Sequence, residues 1–396
     1  GKINAPGQVT LINPAGVYFG RSAVLDVGAV TATTMSQTDD NFMAGKADFA
    51  RNGSTGAVVN EGSIRTALGG YVALLAPQVR NEGLIVARQG TVVLAGGEAI
   101  ALNFDPASKL ASLTVSPSLI ATLVENKIAV EAPDGLIILS ATAMDALTGQ
   151  VINSGRLSAS SLTRQGGRIL IQSGKVQLTN TSVIEAKGPT QGGEVQIKAQ
   201  SISQAGVIDV SSSEGAGGRI ALQATGAPAP DATAQIHLAA QSVLRADGKA
   251  QGGTIRVEAD QLVKLESATV SASSDAGAGG SVVVQGRDVT VSNSTLRAEG
   301  ETAGGQVQMS ASTQAPVAPS NPLAPGPAAP LLLVNGNSLV STSGRRGRGG
   351  DEHADQRRGG AAHHQRPLGP AGRTARLPGG TGQARHRRRH RTRSGR

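Results

Sequence analysis

The groups that do chemistry on a protein surface are sparse in most of this chain. Residues 1–344 hold one histidine, His237, and the chain has no cysteine. His237 sits in Gln235-Ile236-His237-Leu238, where strand alternation turns it outward, away from the apolar side. The carboxylates Glu185, Asp209, Asp247, Asp275 and Glu299 recur at wide intervals, each close to a short apolar segment or the turn after it. Cleaving a glycosidic bond takes two carboxyl groups facing each other across a cleft, about 5–9.5 Å apart. Acids spread one to a repeat read instead as solvated turn residues. Asp39-Asp40 is an adjacent pair, within a polar loop. No Gly-x-Ser-x-Gly elbow, phosphate-binding glycine loop or His-Glu-x-x-His zinc motif is present. Without cysteine there is neither a disulfide framework nor a thiolate metal site. These residues point to no enzyme, no metal and no cofactor.

The elements that carry such residues must be thin. Aromatics make up 2% of 396 residues, tryptophan is absent and glycine contributes 53. A globular core leans on large side chains that bury about 150–250 Å² each; here valine, isoleucine, leucine and alanine must suffice. No run of 18 apolar residues marks a transmembrane helix. The net charge of +9 is uneven. Residues 345–396 hold fifteen arginines, no lysine and three acids (Asp351, Glu352, Asp355), which leaves residues 1–344 at −3.

Glycine pairs punctuate the chain at 69–70, 96–97, 166–167, 192–193, 217–218, 252–253, 279–280 and 304–305, several of them 25–27 residues apart. That period is in the range of solenoids. The 35-residue interval holds an insertion, Gly226-Ala-Pro-Ala-Pro-Asp231, expected on a surface loop. After the pairs come alternating segments such as Arg168-Ile169-Leu170-Ile171, Glu194-Val195-Gln196-Ile197 and Thr254-Ile255-Arg256-Val257. A second segment recurs (Val183-Ile184-Glu185-Ala186, Val207-Ile208-Asp209-Val210, Val243-Leu244-Arg245-Ala246), and a third lies between them (Val176-Gln177-Leu178, Val289-Thr290-Val291). Three short strands per repeat predict an all-β, right-handed parallel β-helix with roughly 20–26 residues per rung. Rungs stack at about 4.8 Å, so about 14 of them would make a rod of about 65 Å. The glycine pairs are expected to supply corners with positive φ.

Residues 1–104 add a motif. Asn13-Pro14-Ala15-Gly16 is a turn between Val9-Thr10-Leu11-Ile12 and Val17-Tyr18-Phe19, with proline and glycine placed as a type I turn favours. Asn13 can bond its own backbone two residues on. In its setting, Gly7-Gln8-Val9-Thr10-Leu11-Ile12-Asn13-Pro14-Ala15-Gly16-Val17-Tyr18-Phe19-Gly20 resembles the core of the secretion domain of filamentous hemagglutinin-like exoproteins. The resemblance continues through Leu25-Asp26-Val27-Gly28, Asp40-Asn41-Phe42 and Val58-Val59-Asn60-Glu61-Gly62-Ser63-Ile64. It runs on through Gly69-Gly70-Tyr71-Val72-Ala73-Leu74-Leu75-Ala76-Pro77, Val79-Arg80-Asn81-Glu82-Gly83-Leu84-Ile85 and Gly90-Thr91-Val92-Val93-Leu94-Ala95-Gly96-Gly97. Ala15 departs from the family's preferred asparagine, and the resemblance leads to the expectation of an N-terminally truncated secretion domain that lacks the family's capping strands.

The resemblance implies a secreted, cell-surface-associated exoprotein of a Gram-negative bacterium, exported by a dedicated outer-membrane β-barrel with periplasmic recognition domains. It crosses unfolded and folds outside, rung upon rung. Asn13, Pro14, Ala15 and Gly16 become the transporter-recognition turn. Asn60, Gly62, Asn81 and Gly83 become rung-corner residues, with the two asparagines able to stack as a ladder. The function implied is adhesion to a host-cell or bacterial surface receptor or glycan. A contact-dependent-inhibition or hemolysin-type toxin stalk is the alternative; a β-helix polysaccharide enzyme would require three or more acids converging in a lateral groove.

The expected organisation is a secretion domain over 1–104, a repeat shaft over 105–310, a Pro/Ala-rich loop or linker over 311–330 and last strands over 331–344. Residues 345–396 then read as a disordered Arg/Gly-rich tail. Its abrupt change of composition resembles a GC-rich gene translated out of frame. No nucleic-acid partner is expected, because the tail has no aromatics for base stacking.

Overall fold

A computed structural model describes residues 1–226, 234–312 and 329–345, together with the backbone of Asp351–Arg357 and His363–His364. The remainder of the insertion at 226–231, most of the Pro/Ala-rich segment and most of the basic tail lie outside the described residues.

The chain winds into a right-handed parallel β-helix with three ladders of strands. One full rung shows the pattern: a long strand Arg168–Ser173, a middle strand Lys175–Leu178 and a short strand Val183–Glu185. Each pairs in parallel with its equivalent one rung on. Alternation sends every second side chain inward. Ile169, Val195, Ile220, Ile255, Val282 and Val307 form one inner column of the long ladder, all fully buried. Burying an aliphatic side chain of this size contributes about 1.5–3 kcal/mol, and the column repeats that gain at each rung.

The N-terminal rungs differ. β1 (Lys2–Ile12) lies along β3 (Val24–Thr33) with a register break between Ala5 and Gln8. β2 (Val17–Phe19) starts the middle ladder between them. β3 serves two ladders, pairing with Ser63–Thr66 through its first half and with Tyr71–Leu75 through its second. Asp39-Asp40 opens a single helical turn, α1 (Asp39–Met43), capped by Thr38, where the sequence suggested a loop.

Among the described residues the long ladder runs from β1 to Asp351–Arg357 in twelve strands, where about fourteen rungs were expected. The difference is chain spent outside the coil. Val72 stacks on Val92 after 20 residues, but Val92 reaches Ile137 only after 45. The intervening residues, with Asp48–Ala50, form a three-stranded antiparallel sheet, Leu110–Ser116, Ala99–Phe104 and Asp48–Ala50 in that spatial order. This sheet covers the outer face of the first long strands. Phe49, Ile100, Leu102 and Leu110 pack there against Ala73, Leu75, Val93 and Ile138 in a second core. Tyr71–Leu75 and Thr91–Gly96 are consequently buried on both faces. Beyond residue 345, Asp351–Arg357 continues the long ladder on Gln306–Ser312 without an apolar alternation; ladder hydrogen bonds are made by backbone, whatever the side chains.

The glycine pairs do a different job from the one expected. Of those in the body, only Gly69 has a φ in the left-handed region. Most of the others stand where rungs approach most closely, and Gly97 abuts Val115 and Ser116 of the sheet strand Leu110–Ser116. A Cβ on Gly193 would overlap the carbonyl oxygen of Gly167, on Gly218 that of Gly193, and on Gly253 that of Gly218. The same relation links Gly28, Gly70, Gly90 and Gly135. The signature is a ladder of glycines stacked carbonyl over α-carbon.

Candidate functional site

The Asn13–Gly16 turn closes as its residue types dictate. Gly16 N donates to the Asn13 carbonyl at 3.0 Å, and Ala15 N donates to Asn13 Oδ1 at 3.2 Å. Gly16 has φ +138°, in the region that favours glycine. Ala15 takes part through its backbone, so alanine in place of the family's asparagine leaves the closure intact. Asn13, Pro14 and Ala15 are exposed at one edge of the rod.

A polar chain ties this turn to the body. Ser54 Oγ donates to the Pro14 carbonyl at 2.8 Å, and Arg51 Nη1 to the Ser54 carbonyl at 3.2 Å. The buried Arg51 guanidinium meets Glu98 at 2.9 Å, and Glu98 also accepts from Ser118 Oγ and Leu119 N, each at 3.2 Å. Arg51, donating to the Glu98 carboxylate, holds that group below the usual carboxylate range. Beside the turn, exposed Tyr18 donates its phenol to Glu61 at 2.9 Å, which Arg21 approaches at 3.3 Å. The Glu61 contact raises the phenol's pKa. Ser54, Arg51 and Glu98 were not legible in the sequence because they lie 37 to 84 residues from Pro14, with no spacing to link them.

Asn60 and Asn81 face inward at the corner ending the middle strand. Asn60 Nδ2 donates to Asn81 Oδ1 at 2.8 Å, Asn81 to Asn126 at 2.8 Å, Asn126 to Asn153 at 2.7 Å, and Asn153 to Ser182 Oγ at 2.6 Å. All four asparagines are fully buried. Gly62 and Gly83 follow at the corner; a Cβ on Gly83 would overlap the Gly62 carbonyl, and one on Gly62 the Ala23 carbonyl. Asn153-Ser154-Gly155 repeats the Asn-x-Gly pattern of the first two members and was legible; Asn126-Lys127-Ile128 does not.

Among the shaft acids Asp275 is exposed in a bend, as expected, whereas Glu185, Asp209, Asp247 and Glu299 are engaged by neighbouring side chains. Glu185 meets Arg156 at 2.7 Å and Lys187 at 2.5 Å; Asp209 lies 3.7 Å from Lys187 and 3.6 Å from Arg245, which reaches Asp247 at 3.6 Å. Glu299 accepts from Ser341 Oγ at 2.6 Å. Stacking brings residues of successive repeats together: Glu185 and Asp209 are register partners on adjacent rungs, and Lys187 bridges the two, so cations and carboxylates alternate along the ion contacts of this edge. His237 points outward, 2.7 Å from Glu266, which also holds Lys264 at 2.6 Å. Among the described residues, no group of three or more His, Asp or Glu side chains is placed to hold a metal ion.

Comparison with known proteins agrees with this architecture. A family model described as the TPS secretion domain matches residues 1–222, taking in the turn, the covering sheet and the first shaft repeats. The heme/hemopexin-binding protein of Haemophilus influenzae is 29% identical over 195 residues, covering 47% of this chain and 21% of that protein. The chain thus spans about a fifth of that relative. The crystal structure of the HMW1 secretion domain from Haemophilus influenzae superposes with a TM-score of 0.61 at 21% identity, over 89% of this chain and 82% of that one. At that identity the likeness is one of fold.

Proposed function

The chain belongs to the TPS secretion domain family, and from that premise we propose that it directs the export of a surface adhesin through a dedicated outer-membrane β-barrel, with Asn13, Pro14, Ala15 and Gly16 as the address. The family is one of secreted, surface-associated exoproteins of Gram-negative bacteria and is structural and adhesive, not catalytic. The observation that carries the proposal is the turn's position. It stands exposed at the rod's edge while Ser54, Arg51 and Glu98 fix it from behind. A residue needed only for the coil would gain nothing by standing in solvent.

The coil suits this route. Its core is built from one-rung increments, so each rung formed outside can template the next, and burial of the next inner column draws chain outward. Periplasmic domains of the barrel read the turn, whose closing bonds lie within residues 13–16 and need no completed rung, and the coil assembles outside. Adhesion falls to the shaft's exposed faces or to sequence it carries; the ligand is a receptor or glycan at a host or bacterial surface.

The test is export itself. Asn13→Ala with Pro14→Ala, co-expressed with the partner barrel, should cut the exported fraction at least tenfold, while the purified variant keeps its β-sheet circular dichroism. Undiminished export would remove the role of the turn.

A further inference from the structure

The covering sheet is one strand short of the apolar surface beneath it. Along the outer face of the long ladder, Ala73, Val93, Ile138 and Leu170 stand in one column on successive rungs. The next member is Gln196, and from there on the column is mostly polar. Ala73, Val93 and Ile138 are buried under the sheet, whereas Leu170 is only half-buried, packed at the margin of the same core. Strands in a sheet and rungs in a β-helix share the same spacing of about 4.8 Å. Each covering strand therefore caps about one rung, and the apolar column extends one rung past the cover.

The sheet's direction is fixed by its ends. Asp48–Ala50 is bridged to Ser36, just beyond β3, and so lies toward the first rungs. Leu110–Ser116 is the opposite edge, with no strand beyond it among the described residues. The edge itself, Leu110-Ala111-Ser112-Leu113-Thr114-Val115-Ser116, has no charge and no proline, the usual guards of an exposed edge. Leu113 and Val115 already pack toward the second core, so an added strand would continue an existing interface.

We infer that this edge accepts one extended segment of a separate polypeptide, laid antiparallel on Leu110–Ser116 with alternate apolar side chains on Leu170. A second copy of this chain is a poor occupant, because its own edge strand already has a shaft beneath it and the two shafts would collide. Charge sets the polarity of the guest. The end of the edge strand at Lys109 opens on a groove that Arg164 and Arg168 also line, against one carboxylate, Asp134. An antiparallel guest brings its C-terminal end there, so a carboxylate-rich C-terminal end is favoured. The partner class is an extended strand with alternating apolar residues and an acidic C-terminal end.

The experiment titrates the full chain with a fluorescein-labelled peptide, Thr-Val-Thr-Leu-Thr-Val-Asp-Glu, and reads fluorescence anisotropy. A scrambled peptide of the same composition, with the alternation broken, serves as the reference. The alternating peptide should bind saturably and at least tenfold tighter than the scrambled one. Leu170→Lys, whose side chain reaches solvent in the free protein, should abolish that difference with the circular dichroism unchanged. Arg164→Ala should weaken the acidic-ended peptide but not one ending in Gln-Gln. Equal binding of the two peptides, or full binding to a folded Leu170→Lys variant, would overturn the inference. So would sedimentation showing a dimer that Leu170→Lys dissociates, since the occupant would then be a second copy.

Discussion

Asn60 and Asn81, 21 residues apart in sequence, stack across one rung with Nδ2 of the first 2.8 Å from Oδ1 of the second, and neither side chain has any exposed surface. A buried amide is costly unless its polar atoms are satisfied. Asn81 meets that condition by accepting from Asn60 and donating to Asn126, the Gly83 carbonyl and the Ala129 carbonyl. Later rungs place Leu178, Leu238 and Leu265 in the same column, so leucine fits the space. Asn81→Leu should nonetheless destabilise the fold by about 3–5 kcal/mol, because it strands a donor on Asn60 and an acceptor on Asn126. Asn153→Leu, at the end of the row beside Leu178, should cost less. Urea denaturation of the two variants measures the order; equal losses would show that the row does not act as a connected unit.

How far the sequence carries follows from where each contact lies. The coil was legible because its period is local: each strand shows its own alternation, and glycine pairs mark each return. The Asn13–Gly16 turn was legible because four consecutive residues make it. The covering sheet was not, although Tyr71–Leu75 and Thr91–Gly96 carried a signal in their unbroken apolar runs, the mark of strands buried on both faces. The ion ladder was hidden for a plainer reason. Arg245 and Asp209 become neighbours only through rung stacking across a 36-residue interval that includes the insertion.

The glycine ladder makes a sharp prediction. A Cβ at Gly218 would overlap the Gly193 carbonyl, which also accepts the rung bond from Arg219 N at 2.9 Å. Relief requires parting two rungs, which breaks ladder bonds and opens the inner column at Ile220. Gly218→Ala should cost several kcal/mol, about 3 or more, although alanine would otherwise favour order over glycine. Gly7→Ala, with nothing within 4 Å of the added carbon, is the control and should stay within about 0.5 kcal/mol of the parent. Thermal denaturation of the pair reads the contrast.

Glu98 gives the pH dependence a sign. Its folded pKa lies below the ordinary value of 4.5, chiefly because Arg51 donates to it. The unfolded chain then binds its proton first as pH falls, so the stabilisation is present above about pH 4.5 and is lost on descending through the lower folded value. Glu98→Gln should remove that part of the acid slope and cost about 1–2 kcal/mol at neutral pH by leaving the Arg51 guanidinium without a carboxylate. Stability measured between pH 3 and 7 in both proteins tests it, and an unchanged acid slope would assign acid sensitivity to other carboxylates.

Along the shaft's charged edge, magnitude decides which contact matters. Arg245 stands 3.6 Å from both Asp209 and Asp247 and is nearly half exposed, at 46%. An ion pair that long, formed by a solvated side chain, contributes well under about 1 kcal/mol and is screened by salt. Asp209 is a different case: it is 6% exposed and accepts from Ser211 N at 2.9 Å as well as from the Ser211 hydroxyl. Its anchoring is by short hydrogen bonds at a corner, with the cations as a diffuse supplement. Arg245→Ala should therefore shift the unfolding midpoint little, and less still at 1 M NaCl. Asp209→Ala leaves the half-buried Ser211 N–H without its acceptor and should cost about 1–2 kcal/mol at either salt concentration. If the arginine variant proves the weaker of the two, the alternating charges rather than the corner hydrogen bonds hold this edge of the rod in register.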